Sequence, residues 1–142
     1  MFLIDTNVIS ELMRSTPAPS VLNWFSTQDP STLYLSAVTE AELRTGIAIL
    51  PAGQRRAGLR AALDATISED FEGRILPFDT DAAKTYAEIA AARRASGRPI
   101  ADADCQIAAI ARAMGASVVT RNVKDFAGCG VEILDPWSDR RD

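Results

Sequence analysis

The chain has 142 residues, 47% hydrophobic and 24% charged, with a net charge of −4 at pH 7. We expect residues 1–142 to form a single domain with its own core, as this length and ordinary globular composition allow. No apolar run approaches the roughly 18 residues of a membrane span. The acidic balance argues against broad, nonspecific binding to nucleic acid.

The N-terminus and the cysteines favour a cytoplasmic protein. A strand is predicted directly from Phe2, without the basic segment that begins a signal peptide. Cys105 and Cys129 form no recognised metal-ligand spacing, so we expect free thiols in the core of a protein from a reducing compartment.

Short apolar runs alternate with helical patterns along the chain. The first half predicts strands at 2–4 and 33–35 and helices at 7–13, about 20–27, 37–50 and about 54–67. The second half predicts strands at 74–77, 117–119 and 131–134 and helices from Asp79, as N-cap, to about 95 and from about 103 to 114. A short polar turn or helix is expected around Lys124, and the tail after Trp137 is expected to fray.

This alternation predicts an α/β fold with a mainly parallel central sheet of about five short strands, covered by helices on both faces. Ligands of such sheets collect outside the carboxyl ends of the strands. Asp5, Ser36 and Asn122 follow predicted strands, and Glu42 and Asp104 lie near helix beginnings at the same rim. We therefore expect a convergent acidic pocket, with the strand order left open.

The acids at this rim indicate a metal site. Carboxylates attached to buried elements are costly unless paired, and several that converge call for a cation. The chain has no histidine, so oxygen ligation of a hard divalent ion, Mg²⁺ or Mn²⁺, is what remains. Such an ion lowers the pKa of a bound water and neutralises charge developing on a phosphate, which favours phosphoester chemistry. A carboxylate or the metal hydroxide then has to take the proton from water.

Four segments carry these acids in order: LIDTNVIS (3–10), SAVTEAELRTG (36–46), IADADCQIAA (100–109) and TRNVKDF (120–126). Together with the tail motif LDPW (134–137), they resemble the PIN-domain nucleases, in particular the VapC-type toxins of bacterial toxin–antitoxin pairs. The resemblance spans nearly the whole chain. It implies a PIN-like doubly wound α/β sandwich, a Mg²⁺ or Mn²⁺ cofactor, hydrolysis of RNA, a cognate VapB-like antitoxin and a homodimer.

By this resemblance, Asp5, Glu42 and Asp104 are the catalytic and metal-binding acids. Many relatives carry an aspartate at the fourth position, where this chain has Asn122, so a second metal site stays open. The side chains expected to support the site are Thr6, Asn7, Ser36, Asp102, Thr120, Asn122 and Asp125.

Glu42 competes with Glu40 for its role, because two residues along a helix point roughly 200° apart. We place Glu42 inward, since it shares a face with Val38 and Ile49 and has the small Gly46 one turn later. Glu40 is then a solvated charge.

Asp104 competes with Asp102 in the same way. Asp104 lies on an apolar stripe with Ile107, Ala108 and Ala111 that should face the sheet. Asp102 lies on a more mixed face and is a supporting residue or the N-cap of its helix.

Structural alternatives stay open for other polar residues. Asp5 could cap the following helix, Asn122 could form a turn, and Asp125 could cap the segment from Phe126. The arginines near 55–60 most simply form a solvated face, with a contact to RNA as the alternative. For the whole chain, the alternatives are a non-catalytic PIN-like protein-binding module and a phosphoacceptor receiver domain.

The helix at about 20–27 is expected to contribute to a docking surface. This short helix carries Leu22, Trp24 and Phe25, which is more apolar surface than a helix of this length usually buries. We expect an antitoxin segment over the helices after the first and second strands, with a basic side chain among the three acids.

Overall fold

The computed structural model describes residues 1–138. Its five strands form one sheet in the order β3-β2-β1-β4-β5, and every neighbouring pair is parallel. The strands are β1 (Phe2–Ile4), β2 (Leu33–Ser36), β3 (Ile75–Leu76), β4 (Ser117–Val119) and β5 (Ile133–Leu134). The predicted parallel sheet is confirmed. Because the chain first builds outward from β1 through β2 to β3 and then returns to β4, the order reverses beside β1.

Seven α-helices cover the sheet within the described residues. They are α1 (Thr6–Leu12), α2 (Pro19–Ser26), α3 (Ala37–Ala48), α4 (Gln54–Ala65), α5 (Thr80–Ala95), α6 (Asp102–Met114) and α7 (Val123–Phe126). Most ends lie within one or two residues of the prediction. The helix predicted to end near residue 67 instead continues from α4 as the π-helical turn Thr66–Asp70. Strands β3 and β5 are shorter than predicted, because each lies at a sheet edge with a single pairing neighbour.

Alternate residues of the central strands bury opposite sides of the sheet. Leu3 and Val118 belong to a buried cluster with residues of α5 and α6. Ile4 and Val119 belong to a second cluster, with residues of α1 to α4. Helices therefore pack on both faces, as the doubly wound architecture requires. No helix within residues 1–138 is long and apolar enough to cross a membrane.

Two local predictions are confirmed. The Asp79 carboxylate caps α5 by accepting a hydrogen bond from the Ala82 backbone N–H (Oδ1–N 3.0 Å). Cys105 and Cys129 are buried, free thiols. The predicted fraying of the tail concerns mainly residues 139–142, which lie outside the described residues.

Candidate active site

Asp5 lies directly after β1, at the carboxyl end of the sheet. Its backbone N–H donates to the Val119 carbonyl (2.9 Å), which ties the end of β1 to the end of β4. Its Oδ1 accepts a hydrogen bond from the Thr6 backbone N–H (2.8 Å), so Asp5 is the N-cap of α1. Its Oδ2 accepts from the Thr120 hydroxyl (2.8 Å) and the Asn7 amide (3.2 Å). Asp5 therefore caps α1 and also belongs to the acidic group.

The Asp5 side chain has no positively charged partner among these contacts. The residue is only 3% exposed. Burial raises the pKa of its carboxyl, three hydrogen bonds from neutral donors oppose that shift, and the nearby Glu42 carboxylate adds to it. Together these effects raise the pKa of the Asp5 carboxyl, so its ionised form is less stable here than in water.

Glu42 reaches the same place from the flank of α3. Its Oε1 accepts a short hydrogen bond from the Thr6 hydroxyl (2.6 Å). The inward placement was wrong, because Glu42 is exposed and α3 buries Thr39, Leu43 and Ile47 instead. Ile49, which supported the prediction, is 78% exposed.

Glu40 takes no part in this group. Its carboxylate accepts from the Arg44 guanidinium (Oε2–Nε 2.8 Å), and Arg44 also pairs with Asp64. Glu40 is therefore part of a local ion-pair network and is less solvated than predicted.

Asp104 completes the acidic group from the first turn of α6. Burial raises the pKa of its carboxyl to about 6, and repulsion from Asp5, Asp125 and Glu42 contributes in that order. The opposing positive charge comes from Arg93. The group therefore carries more negative charge than its surroundings compensate, which is the electrostatic setting of a cation site.

The donor chemistry fits a hard divalent ion, although the carboxylates do not form a closed cage. Among residues 1–138, no three acidic or cysteine side chains stand close enough to hold a metal directly. Mg²⁺ usually keeps several waters and takes only one or two protein carboxylates. The open arrangement of Asp5, Glu42 and Asp104 is therefore compatible with a largely hydrated ion.

Thr6, Asn7 and Thr120, three of the residues predicted to support the site, lie inside the hydrogen-bond network around Asp5. The Asn7 amide also donates to the Thr120 hydroxyl oxygen (3.3 Å), and its Oδ1 accepts from the Arg121 backbone N–H (3.2 Å). This arrangement holds Asp5 in one orientation.

Two predicted supporting residues have other partners. Ser36 is fully buried, and its Oγ caps α3 by accepting from the Thr39 backbone N–H (2.9 Å). Asp102 accepts a hydrogen bond from the Tyr86 hydroxyl (Oδ1–Oη 3.1 Å). Asp102 as N-cap was wrong, since α6 begins at Asp102 and its N-cap is Ala101.

The last two predicted supporting residues, Asn122 and Asp125, follow β4: the first lies just before α7 and the second within it. Asn122 is exposed and occupies the N-cap position of α7 without a side-chain capping bond, while its backbone N–H donates to the Thr120 hydroxyl oxygen (3.0 Å). Asp125 lies inside α7, so the idea that it caps the segment from Phe126 was wrong. Its carboxylate is close enough to Asp104 to repel it.

Arg93 was missed by the sequence reasoning. It is 7% exposed, and its Nη1 donates to the backbone carbonyls of Asp125 (3.0 Å) and Ala127 (2.9 Å). Its Nε donates to the carbonyl of Arg98. This side chain therefore fastens the segment that carries Asp125 next to the acidic group. The available signal was its position four residues after Ile89, on the buried face of α5.

A groove of about 590 Å³ leads away from Thr6 and Glu42. It runs between α1, α3 and α4, with Leu43 and Ile47 of α3 along one side. Arg55 is the member of the predicted solvated arginine face that lines it. Glu42 thus connects the acidic group to this groove.

The PIN domain family model matches residues 2–128. The chain belongs to the PIN domain family, which confirms the resemblance. It is 46% identical over 137 residues to the VapC ribonuclease Y4jK of Sinorhizobium fredii, covering 96% of this chain and 98% of that protein. Its fold is similar to the crystal structure of FitAcB from Neisseria gonorrhoeae, with a TM-score of 0.92, 41% identity and coverage of 97% and 99%.

A third similarity is to VapBC-5 of Mycobacterium tuberculosis, a member of the VapBC family of toxin–antitoxin systems. The TM-score is 0.65 at 27% identity, covering 93% of this chain and 95% of that one. The receiver-domain alternative was wrong: family membership excludes it, and the sheet order 3-2-1-4-5 differs from the 2-1-3-4-5 order of that fold.

Proposed function

We propose that the chain, as a single domain, is a metal-dependent endoribonuclease and the toxin of a type II toxin–antitoxin pair. The observation that carries the proposal is the group formed by Asp5, Glu42 and Asp104 at the carboxyl end of the sheet, where negative charge exceeds its compensation. The ribonuclease name of the relative at 46% identity supports RNA as the substrate.

Asp5 and Asp104, with Glu42 directly or through water, would hold Mg²⁺ or Mn²⁺. When bound, the ion lowers the pKa of a water and neutralises charge that develops on the phosphate. The Thr120 hydroxyl and the Asn7 amide hold Asp5 in place for this role. An orientation fixed before the substrate arrives reduces the reorganisation needed in the transition state.

The proton of the attacking water needs an acceptor, and Glu42 is the group we assign. Its Oε1 accepts from the Thr6 hydroxyl, while Oε2 accepts no hydrogen bond from any of residues 1–138. Oε2 is therefore available to take a proton from water in the exposed part of the site. Attack by water on the phosphorus leaves a 3′-hydroxyl and a 5′-phosphate.

We also propose a VapB-like antitoxin as partner, and a homodimer of the toxin. The solved relative from a VapBC toxin–antitoxin system supports the antitoxin. Resemblance alone supports the homodimer. The antitoxin would lie along α1 and α3 and place a basic side chain among the acids, since an arginine can bridge two carboxylates. Of the three apolar residues expected to dock a partner at α2, only Leu22 is well exposed (47%), since Trp24 is buried and Phe25 is partly buried in the core; the expected apolar surface was therefore too large.

The test is cleavage of single-stranded RNA by the purified, antitoxin-free chain. We expect activity with Mg²⁺ or Mn²⁺ and none in excess EDTA. Asp104→Asn should lose about a hundredfold or more, the scale of removing a main electrostatic contributor. Asp102→Asn, the matched control two residues away, should lose far less. Undiminished cleavage in EDTA, or a greater loss in the control, would contradict the proposal.

The second candidate function is a non-catalytic PIN-like module that acts by binding protein. The groove with Leu43 and Ile47 along one side favours it, because an apolar wall suits a bound protein segment. Metal-supplemented cleavage by wild type and its loss in Asp104→Asn would exclude this candidate.

A further inference from the structure

We propose that Arg121 and Trp137 form a stacking platform for one nucleotide of the RNA strand beside the acidic site. This inference rests on the proposed function and names a substrate contact for it. The Arg121 guanidinium lies over the Trp137 ring, with Cζ 4.8 Å from the ring centroid. A cation at this distance from an aromatic face is attracted by the ring.

The platform is fixed to the same network that holds Asp5. Arg121 follows Thr120, whose hydroxyl donates to Asp5, and the Arg121 backbone N–H donates to Asn7 Oδ1. Trp137 packs partly against the cluster on the α1–α4 side of the sheet. Its backbone N–H donates to Asp135 Oδ1 (2.9 Å), which anchors the turn that carries the ring. The backbone that carries Arg121 is therefore fixed one residue away from the Thr120–Asp5 hydrogen bond.

The donors of Arg121 are unpaired within the described part of the chain, although the Glu11 carboxylate of α1 is near enough to feel its charge. None of residues 1–138 forms a side-chain hydrogen bond or salt bridge with its guanidinium. By contrast, Arg14 pairs with Glu11 (3.3 Å) and Arg93 is bound to backbone carbonyls. Arg121 is also exposed. A planar cation held by stacking, with unpaired N–H groups, suits a ligand that offers both a base plane and phosphate oxygens.

Charge gives a further reason for a contact here. The chain has a net charge of −4, and the acidic group repels phosphate before a metal is bound. A strand brought to the acids needs local compensation, and single-stranded RNA is commonly held by stacking of bases on aromatic rings or on arginine planes. Arg121 offers an exposed arginine plane, and the partly buried Trp137 ring supports it from below.

The chain has two tryptophans, which allows a direct binding test without cleavage. Trp24 is 2% exposed, so only Trp137 can meet an added strand. We would titrate a short single-stranded RNA in EDTA and follow tryptophan fluorescence in wild type, Trp24→Phe and Trp137→Phe. We expect quenching in the first two and none in Trp137→Phe. Quenching that persists in Trp137→Phe, or its absence in wild type, would overturn the platform.

Kinetics separate stacking from a charge contact and from a role in folding. Arg121→Ala and Trp137→Leu should raise KM about tenfold with kcat little changed, the scale of losing one stacked base. Trp137→Phe keeps an aromatic face and should be close to wild type in KM. Arg121→Lys keeps the charge without the planar fork and should resemble Arg121→Ala. Arg94→Ala, an exposed arginine on α5, is the control. Full activity in Arg121→Lys would show a phosphate contact only and refute stacking.

The two proposals fail differently. Wild-type cleavage with an unchanged KM in Arg121→Ala and Trp137→Leu would overturn the platform and leave the nuclease intact. A wild type that binds RNA through Trp137 in EDTA but cleaves none with Mn²⁺ would overturn the nuclease and support the platform. Circular dichroism and thermal melting of each variant exclude unfolding as the cause of a lost signal.

Discussion

Replacing Asp104 with asparagine should stabilise the metal-free protein at neutral pH while lowering cleavage by about a hundredfold or more. Burial, and then repulsion from Asp5, Asp125 and Glu42, raises the pKa of this carboxyl from 3.8 to about 6. The folded state therefore binds the proton more tightly than the unfolded state does. As pH rises from about 4 to above 6, the wild type loses the stability associated with that proton and does not regain it. Asparagine has nearly the same shape and no charge to lose.

The size of the gain follows from the shift. About two pKa units correspond to roughly 3 kcal/mol at 1.36 kcal/mol per unit. Asp104 is only partly buried, and screening by solvent reduces this to roughly 1–2 kcal/mol. For a chain of this length, such a gain raises the melting temperature by about 3–8 °C.

Urea unfolding in EDTA at pH 4 and pH 7.5 measures this gain. The free energy of unfolding of Asp104→Asn relative to wild type should be larger at pH 7.5 by roughly 1–2 kcal/mol. Asp102→Asn is the control, because Asp102 accepts from Tyr86 outside the acidic group. Addition of Mg²⁺ should stabilise wild type more than Asp104→Asn. An Asp104→Asn protein less stable than wild type at pH 7.5, or an equal difference at both pH values, would refute the electrostatic reasoning.

Three further substitutions follow from the site. Glu42→Gln should lower kcat by about a hundredfold, and Glu40→Gln should change it little, in initial-rate assays with Mn²⁺; equal losses would remove Glu42 from its assigned role. Arg93→Met should lower the free energy of unfolding in urea by about 3 kcal/mol, because buried carbonyls lose a charged donor, and Arg94→Met should change it by less than about 0.5 kcal/mol. Asn122→Asp should raise metal affinity in calorimetric titration, where wild type should bind one ion tightly; two tight sites in wild type would contradict this.

The fold could be predicted because its signals are local. Each strand is a short apolar run, and each long helix has a cap or stop residue, such as Asp79 before α5 and Gly115 after α6. The strand order could not be predicted, because several orders satisfy the same alternation of strands and helices. In the structure, hydrogen bonds such as that from the Asp5 N–H to the Val119 carbonyl connect β1 and β4 across more than a hundred residues.

The buried face of α3 was misjudged for a physical reason. Ile49 was counted on the inward stripe, yet it is the C-cap of α3, where the helix has already ended. Thr39 is buried instead, and its backbone N–H donates to the Ser36 hydroxyl at the start of the helix. Leu43 and Ile47, four residues apart, are the apolar part of the buried stripe, and this rotation of α3 leaves Glu42 at the rim. The prediction followed Val38 and Ile49, which lie outside this stripe.

Arg93 shows a different limit. A sequence pattern marks an arginine in an alanine-rich helix as a surface residue, since long charged side chains are rarely buried. Its acceptors, the carbonyls of Asp125 and Ala127, lie more than thirty residues away along the chain. Only the packed structure brings them within reach, and those bonds are what make the burial of the guanidinium tolerable.

The contacts around Asp5 explain why the acidic group needs a cation. Hydrogen bonds from Thr120, Asn7 and the Thr6 backbone hold this carboxylate, yet all three donors are neutral. Neutral donors fix its orientation without cancelling its charge, so its repulsion with Glu42 remains. The folded chain can hold this arrangement because the surrounding core is well packed, and a cation that enters the site relieves the repulsion directly. A metal ion and a basic side chain of an antitoxin would both do so at the same place. If the proposed function is correct, the two would compete for one site, and an antitoxin that inserts such a side chain would inhibit the nuclease by excluding its metal.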